Sequence, residues 1–500
     1  MPKRLVGFMR RVFRPKAAAA PKPELRVIPR DAHHVSRKDI SPHALKVLYR
    51  LKDAGYEAYL VGGGVRDLLL GGHPKDFDVA TDATPEQVRK VFNNCRIVGR
   101  RFRLAHVLFG RDVVEVATFR AGHETEDPGD DDHDDMHDGQ APDETPADDE
   151  RPVGRRERRD RIRNERSARD TPGAVHGSTG MILRDNVWGN VEQDAIRRDF
   201  TVNALYYNVV DFSIHDYVGG MRDLEKKKLR LIGDPETRYR EDPVRMLRAA
   251  RFAAKLHFTV DDATAAPIAT LKPLLQHIPP ARLFDESLKL LLAGYGRASW
   301  EWLERFGLDE ILFPDVADTA RRNANARRFL LAALDNSDRR IADGKSVTPA
   351  FLFAALLWPE VCRRYNRLLT EGVADIPAMA QAGQQVLDEQ CRILAIPRRF
   401  STPAREIWEM QLRLPRRGGR RAEAMLANPR FRAAYDFLLL REAAGPLAGE
   451  PADAFAEKLG DWWHEYQQAD DDTRHVMARE AEARRTPGEG NGRRRRRRRR

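Results

Sequence analysis

The stretch Leu60–Asp82, LVGGGVRDLLLGGHPKDFDVATD, restricts the fold more than any other part of the chain. Glu57–Val61 reads as a short strand, the glycines Gly62, Gly63 and Gly64 follow it, and an apolar helix-forming run comes next. A strand, a glycine turn and a helix in that order require an α/β element and exclude an all-helical start. Glycines let the backbone approach a bulky anion, and the helix behind them offers unpaired N–H groups and the positive end of its dipole. Arg66 adds a guanidinium fork suited to phosphate oxygens. The Gly-Lys-Ser/Thr ending of a Walker loop is missing, so a phosphate-binding turn here is of another kind.

Asp76 and Asp78 flank Phe77. Alternate side chains of a strand share a face, so the two carboxylates project together while Phe77 and Val79 turn towards a core. Adjacent carboxylates repel unless a cation lies between them. Mg2+ suits such a place because it takes one or two carboxylates together with substrate phosphates and waters; Mn2+ is the alternative ion. Glu115, the lone acid of the apolar strand Val113–Ala117, is the candidate third carboxylate. A polar strand edge is the plain alternative for the aspartate pair.

Two further clusters carry chemistry. Ile196–Asn203, IRRDFTVN, sets Arg197 and Arg198 beside Asp199 and Asn203. The arginines suit a triphosphate, and Asp199 and Asn203 suit a ribose or the orientation of those arginines; ordinary ion pairs at a helix end are the alternative. In Arg240–Arg248, REDPVRMLR, a helix starts with Pro243 in its first turn, and Asp242 and Arg245 share a face three residues apart. A carboxylate acceptor beside a guanidinium donor can read the hydrogen-bonding edge of a base. Arg248 and Arg251 continue that face, which could equally be a solvated basic stripe.

Around these motifs the 500 residues allow several domains. Residues 1–40 read as a flexible basic leader, with order starting at the Ser41 cap and Pro42. Strands at Leu205–Val210 and Ser213–Tyr217 close a head spanning 41–217. A helical neck (218–300) and a helical body with an RNA-binding region (301–482) follow, and 483–500 is a polar tail. Residues 124–170 hold an acidic block and then a basic block without apolar periodicity, which reads as a disordered insertion. The 87 Lys and Arg outnumber the 76 Asp and Glu by 11, and Arg493–Arg500 supplies eight of those charges. The tail, rather than the whole surface, is therefore the part drawn to polyanions.

Cys95, Cys362 and Cys391 are too few and too scattered for a disulfide scaffold or a zinc site; Cys95 and His106 read as core neighbours. No apolar run reaches the length of a membrane span, and Phe351–Trp358, the longest, is expected to stop at Pro359. In the last third, Arg398, Arg399, Arg413, Arg416, Arg417, Arg420, Arg421, Arg430 and Arg432 interleave with Phe400, Trp408, Phe431 and Tyr435. That mixture suits single-stranded RNA, whose phosphates track basic grooves and whose bases stack on aromatic rings; aromatics buried in a helical core are the alternative.

The ordered set GGGVRD (62–67), DFD (76–78), RRDFTVN (197–203) and EDPVR (241–245) resembles the class II nucleotidyltransferase superfamily, which comprises bacterial poly(A) polymerases and tRNA CCA-adding enzymes. The resemblance implies an α+β fold: a small head with a mixed, antiparallel-leaning five-stranded sheet, followed by all-α neck, body and tail domains. It implies that Gly62, Gly63 and Arg66 contact the triphosphate and that Asp76, Asp78 and Glu115 hold the metal. It places Asp199, Arg197, Arg198 and Asn203 in the active site, and Asp242, Arg245 and Arg248 at the incoming nucleotide. Val98–His106, Gly233–Arg245 and Ile278–Glu286 look like the poly(A) polymerase branch. The implied activity is template-independent transfer of AMP from ATP to RNA 3′ ends by a cytoplasmic, monomeric enzyme with RNA-decay proteins as partners. A CCA-adding enzyme and a non-catalytic RNA-binding scaffold are the alternatives.

Overall fold

A computed structural model describes residues 25–99, 103–121, 175–176, 182–184, 187–447, 449–451 and 458–483. The charged segment 124–170, the first 24 residues and the arginine run lie outside the described residues. The chain divides into two compact units, Met1–Glu241 and Asp242–Arg500.

The first unit is built on one mixed sheet. Its strands are β1 (Arg26–Ile28), β2 (Ala58–Val61), β3 (Asp78–Thr81), β4 (Cys95–Val98), β5 (Leu104–Phe109) and β6 (Asp112–Thr118). A separate hairpin of β7 (Val175–His176) and β8 (Ile182–Arg184) precedes β9 (Leu205–Asn208) and β10 (Ile214–Asp216). The sheet order is β1-β10-β9-β2-β3-β6-β5-β4, eight strands where the resemblance implies five. Every neighbouring pair is antiparallel except β3 and β6.

Part of the expected flexible leader is ordered. Residues 26–28 pair with β10, and Ile28 and Val35 are buried. Three residues make too short a pattern to reveal an edge strand whose partner lies far along the chain. Order at Ser41 is as the cap suggests: its side chain accepts from the His43 N–H, and Pro42 opens the helix Pro42–Asp53. That helix packs on β2, β3 and β6. The helix Val191–Arg197, started by a reciprocal Asn190–Gln193 capping box, contributes Ala195 to a core with Val61, Ala80, Phe119, Tyr206 and Tyr217.

The second unit is helical. Val244–Leu256, Pro280–Leu291 and Gly296–Phe306 pack together at its start. Ala324–Ala342, Pro349–Thr370, Asp375–Leu394, Arg398–Gln411 and Phe431–Ala444 form its middle. The helix 349–370 continues through Pro359, contrary to the expected stop, and most of it is buried. Dense packing on the helices 375–394 and 398–411 outweighs the hydrogen bond that proline removes. Trp300, Trp358, Trp408 and Trp463 are fully buried core anchors. Among the described residues no helix is long and apolar enough to cross a membrane.

Candidate active site

The register of the head sheet lines up the polar groups. His106 on β5 faces Glu115 on β6, Glu115 faces Asp78 on β3, Asp78 faces Val61 on β2, and Val61 faces Tyr206 on β9. The neighbouring row, Leu60, Val79 and Val116, is buried. Asp78 is the first residue of β3, so Asp76 precedes the strand rather than sharing it as expected. The alternation nevertheless continues into the loop, with Asp76 and Asp78 exposed and Phe77 buried between them.

Gly62 closes the gap between loop and strand. Its φ of 76° and ψ of −139° suit glycine alone. A Cβ there would lie 3.7 Å from both Arg198 Nη1 and Asp78 Oδ2, so the loop, the guanidinium and the carboxylate meet at one point. At Gly64 a Cβ would crowd Phe77 Cδ1 at 3.2 Å, which explains the close seating of the turn on the DFD segment. The helix that follows, Gly63–Leu69, has only seven residues, so its dipole is a small contribution.

Asp78 is solvent-accessible at its surface yet ringed by protein atoms. That partial burial, with the charges of Glu115 and Asp76 added and Arg198 opposing, raises its pKa to about 6. Glu115 also lies 3.6 Å from His106 Nε2, so His106 stands on the polar face and not beside Cys95 in the core as expected. Cys95 faces Val107 instead.

Arg198 is held from behind. Its Nε and Nη2 donate to Asp194 Oδ2 at 3.2 and 3.0 Å, and Nε donates to the Tyr206 hydroxyl at 2.9 Å. Burial keeps the Tyr206 hydroxyl protonated, and it donates in turn to Asp194 Oδ2 at 2.7 Å. Asp194 Oδ1 also accepts from the Arg120 backbone N–H at 3.3 Å. Asp194 and Tyr206 escaped the motif reading; the one available signal was the four-residue Asp194–Arg198 spacing on a helix.

Arg66 lies beneath the turn. It is 2% exposed, and its guanidinium donates to Asp67 Oδ1 and to Asn203 Oδ1. Asn203 Nδ2 continues the string to Asp199 Oδ1 at 3.1 Å, which also accepts from the Phe200 N–H. The guanidinium also sits against the glycine turn, where a Cβ at Gly63 would lie 3.4 Å from its Nη2. Arg197 and Asp199 are half-buried.

The residues expected at the incoming base, Asp242, Arg245 and Arg248, belong to the second unit. Arg245 N–H bonds the Asp242 carbonyl at 3.0 Å at the mouth of the helix Val244–Leu256. Asp242 Oδ2 accepts from Arg282 Nη2 at 2.7 Å, a partner the spacing could not reveal. Arg248 and Arg251 rest on the Phe252 ring at 5.2 and 4.6 Å.

The expected RNA-contact arginines split. Arg398, Arg399, Arg420 and Arg421 are exposed. Arg416 donates to Asp375 Oδ2 at 2.9 Å. Arg417 is buried and lies over Trp462 at 5.1 Å, so it is a core strut. Trp408, Phe431 and Tyr435 are also core residues, and Phe400 alone of the four aromatics is half-buried.

Matches to three family models run along the chain: "Poly A polymerase head domain" over 58–230, "Probable RNA and SrmB- binding site of polymerase A" over 257–319, and "Polymerase A arginine-rich C-terminus" over 371–500. The sequence is 48% identical over 471 residues to poly(A) polymerase I of Salmonella typhi, covering 93% of this chain and 91% of that one. The chain belongs to the poly(A) polymerase I family. A CCA-adding enzyme of Bacillus pumilus is 34% identical over only 51% of this chain and 50% of its own. The fold is that of the Bacillus stearothermophilus CCA-adding enzyme crystallised with CTP, with a TM-score of 0.50 at 23% identity over 89% of this chain and 83% of that one.

Carboxylate oxygens are the donors a hard divalent cation takes; burial chiefly raises the Asp78 pKa, and the added repulsion from Glu115 and Asp76 is what such a cation would relieve. Among the described residues no three His, Cys, Asp or Glu side chains converge into a ready-made cage.

Proposed function

We propose that this chain extends RNA 3′ ends with AMP from ATP, without a template, in the cytoplasm. The RNA 3′-oxygen forms a bond to the α-phosphorus, the bond from that phosphorus to the bridging oxygen breaks, pyrophosphate leaves, and the hydroxyl proton passes to solvent. The observation that carries this reading is the meeting of Gly62, Arg198 and Asp78 at one point, on a chain of this family.

In this scheme the Gly62–Gly64 backbone and Arg198 receive the triphosphate. Asp194 and Tyr206 fix the direction of Arg198, so that little ordering is left for the moment of reaction. Arg66, Asn203 and Asp199 are positioning residues that keep the turn against the sheet. Asp76, Asp78 and Glu115 would hold Mg2+, which when bound supplies charge neutralisation for a hydroxyl nucleophile and a pyrophosphate leaving group. Within the second unit, Asp242 and Arg245 carry an acceptor and a donor that suit the edge of an adenine, and Arg282 bonds the carboxylate.

The test is a nucleotide-dropout extension assay with Mg2+, an end-labelled generic RNA and a tRNA lacking its 3′ end. A long ladder on the generic RNA with ATP alone is expected. Addition of two C and one A to the tRNA followed by arrest would overturn the reading.

A further inference from the structure

The second unit carries a cleft that none of the matched descriptions assigns. It has a volume of about 350 Å³ and lies between the helices Ala324–Ala342, Pro349–Thr370, Arg398–Gln411 and Phe431–Ala444. A neighbouring depression of about 430 Å³ shares Asn336, Arg340, Arg432 and Asp436 with it and extends it along the helix 324–342. These are sizes that take a small organic ring system.

The floor is apolar and aromatic. Phe351 and Phe400 are both half-buried and both line the cleft, with Pro403 and Ile407 beside them. Phe351 is steadied edge-on by Phe437 at 6.2 Å, and Phe400 is stacked on Phe284 at 6.1 Å, so the rings are held by the core while part of each remains open. The Arg399 guanidinium already lies 4.9 Å from the centre of the Phe400 ring, a cation–π contact on a ring that a nucleobase can also stack on.

The rim is basic. Arg340, Arg399, Arg430 and Arg432 line it, against Asp436 as the lining acid. Arg430 donates to Glu406 and Arg432 to Asp436, and these side chains stay 48% and 69% exposed, so the guanidiniums are steered by carboxylates yet still face solvent. Cations spaced around a flat apolar pocket match a ligand with a planar ring between anionic links. A single-stranded polynucleotide is that ligand: phosphates along the rim, a base on the floor.

We infer that this cleft holds a nucleotide of the RNA substrate, with its base against Phe351 and Phe400 and its flanking phosphates at Arg340, Arg399, Arg430 and Arg432. The site lies outside residues 257–319, the segment matched as an RNA-binding region. The inference rests on the reading that RNA is the substrate.

The experiment uses the full-length chain and fluorescein-labelled oligo(A). Arg399→Gln combined with Arg432→Gln removes two exposed charges without opening the core. It is expected to weaken binding by about 5–10-fold near physiological salt, and to reduce the slope of log affinity against log salt by about 1.4, at roughly 0.7 per lost phosphate contact. The KM for RNA rises while kcat and the KM for ATP stay put. Arg322→Gln, at a 78% exposed arginine away from the cleft, leaves the affinity and slope nearly unchanged. Ultraviolet cross-linking of an oligo(A) carrying one 5-iodouridine maps to the peptide containing Phe400 or Phe351, and Phe400→Leu, which keeps apolar bulk, lowers that yield.

Unchanged affinity and salt slope in the double variant, or cross-links that map only elsewhere, would overturn the inference. A wild-type chain that extends no RNA with ATP would instead overturn the functional reading, while the binding and cross-linking arms still report on the cleft.

Discussion

Replacing Asp78 by Asn should cost activity and increase stability. The raised Asp78 pKa, from an ordinary 3.8 to about 6, means that the folded head binds this proton more tightly than the unfolded chain does. Stability therefore falls as pH rises through the interval from about 4 to 6, and the whole penalty is present above it. A shift of about two units at 1.36 kcal/mol each sets a ceiling of about 3 kcal/mol. Asp78 is open to solvent on one side, and screening there brings the figure down to about 1 kcal/mol. Asn keeps the shape and loses the charge. In a metal chelator near pH 8 the Asn variant should melt roughly 2–4 °C above the wild type by calorimetry, and the gap should close as the pH is lowered to about 4. Mg2+ should then raise the melting temperature of the wild type and leave that of the variant nearly unmoved. Nucleotide incorporation by the variant should drop by about 10²–10³-fold or more. An Asn variant that melts at or below the wild-type temperature in chelator at high pH would refute the electrostatic argument, and one that keeps wild-type turnover would refute the site.

Three other outcomes are expected. Gly62→Ala forces a side chain into a conformation with φ of 76° and points a methyl at Arg198 and Asp78; it should lower head stability by about 1–3 kcal/mol and raise the KM for ATP, read by thermal melts and steady-state kinetics. Asp242→Ala should relax the preference for ATP over CTP by about 10–100-fold in a competition assay while RNA affinity holds, and Arg282→Ala should do so less. Glu450→Ala leaves Arg441, 1% exposed and lying over Trp358, without its carboxylate; denaturant unfolding of the second unit should register a loss of about 3–5 kcal/mol, with Glu450→Gln in between.

Local chemistry was legible in the residues themselves. The Gly62 turn, the alternation of Asp76, Phe77 and Asp78, the lone acid Glu115 on its apolar strand and the Ser41–Pro42 helix start all follow from rules that act over a few neighbours. The motif order was enough to name the superfamily and to expect a mixed-sheet head followed by helices. What a long side chain does with its charged end was decided only by packing. Arg66 and Arg198 stand near the same turn, yet Arg66 is sunk on Asn203 and Asp67, and Arg198 is pinned by Asp194 and Tyr206 with Nη1 at the carboxylate site. Arg417 covers Trp462 while Arg399 lies above Phe400 on an open cleft, though both are arginines in the same basic stretch. Helical and strand periodicity specifies which face a residue occupies. It does not specify what a distant element brings to that face, as the pairing of residues 26–28 with 214–216 illustrates. The sequence by itself determined the chemical groups and their local spacing. The tertiary structure decided which of them meet solvent, because burial and long-range pairing depend on the whole packed core and not on any window of the chain.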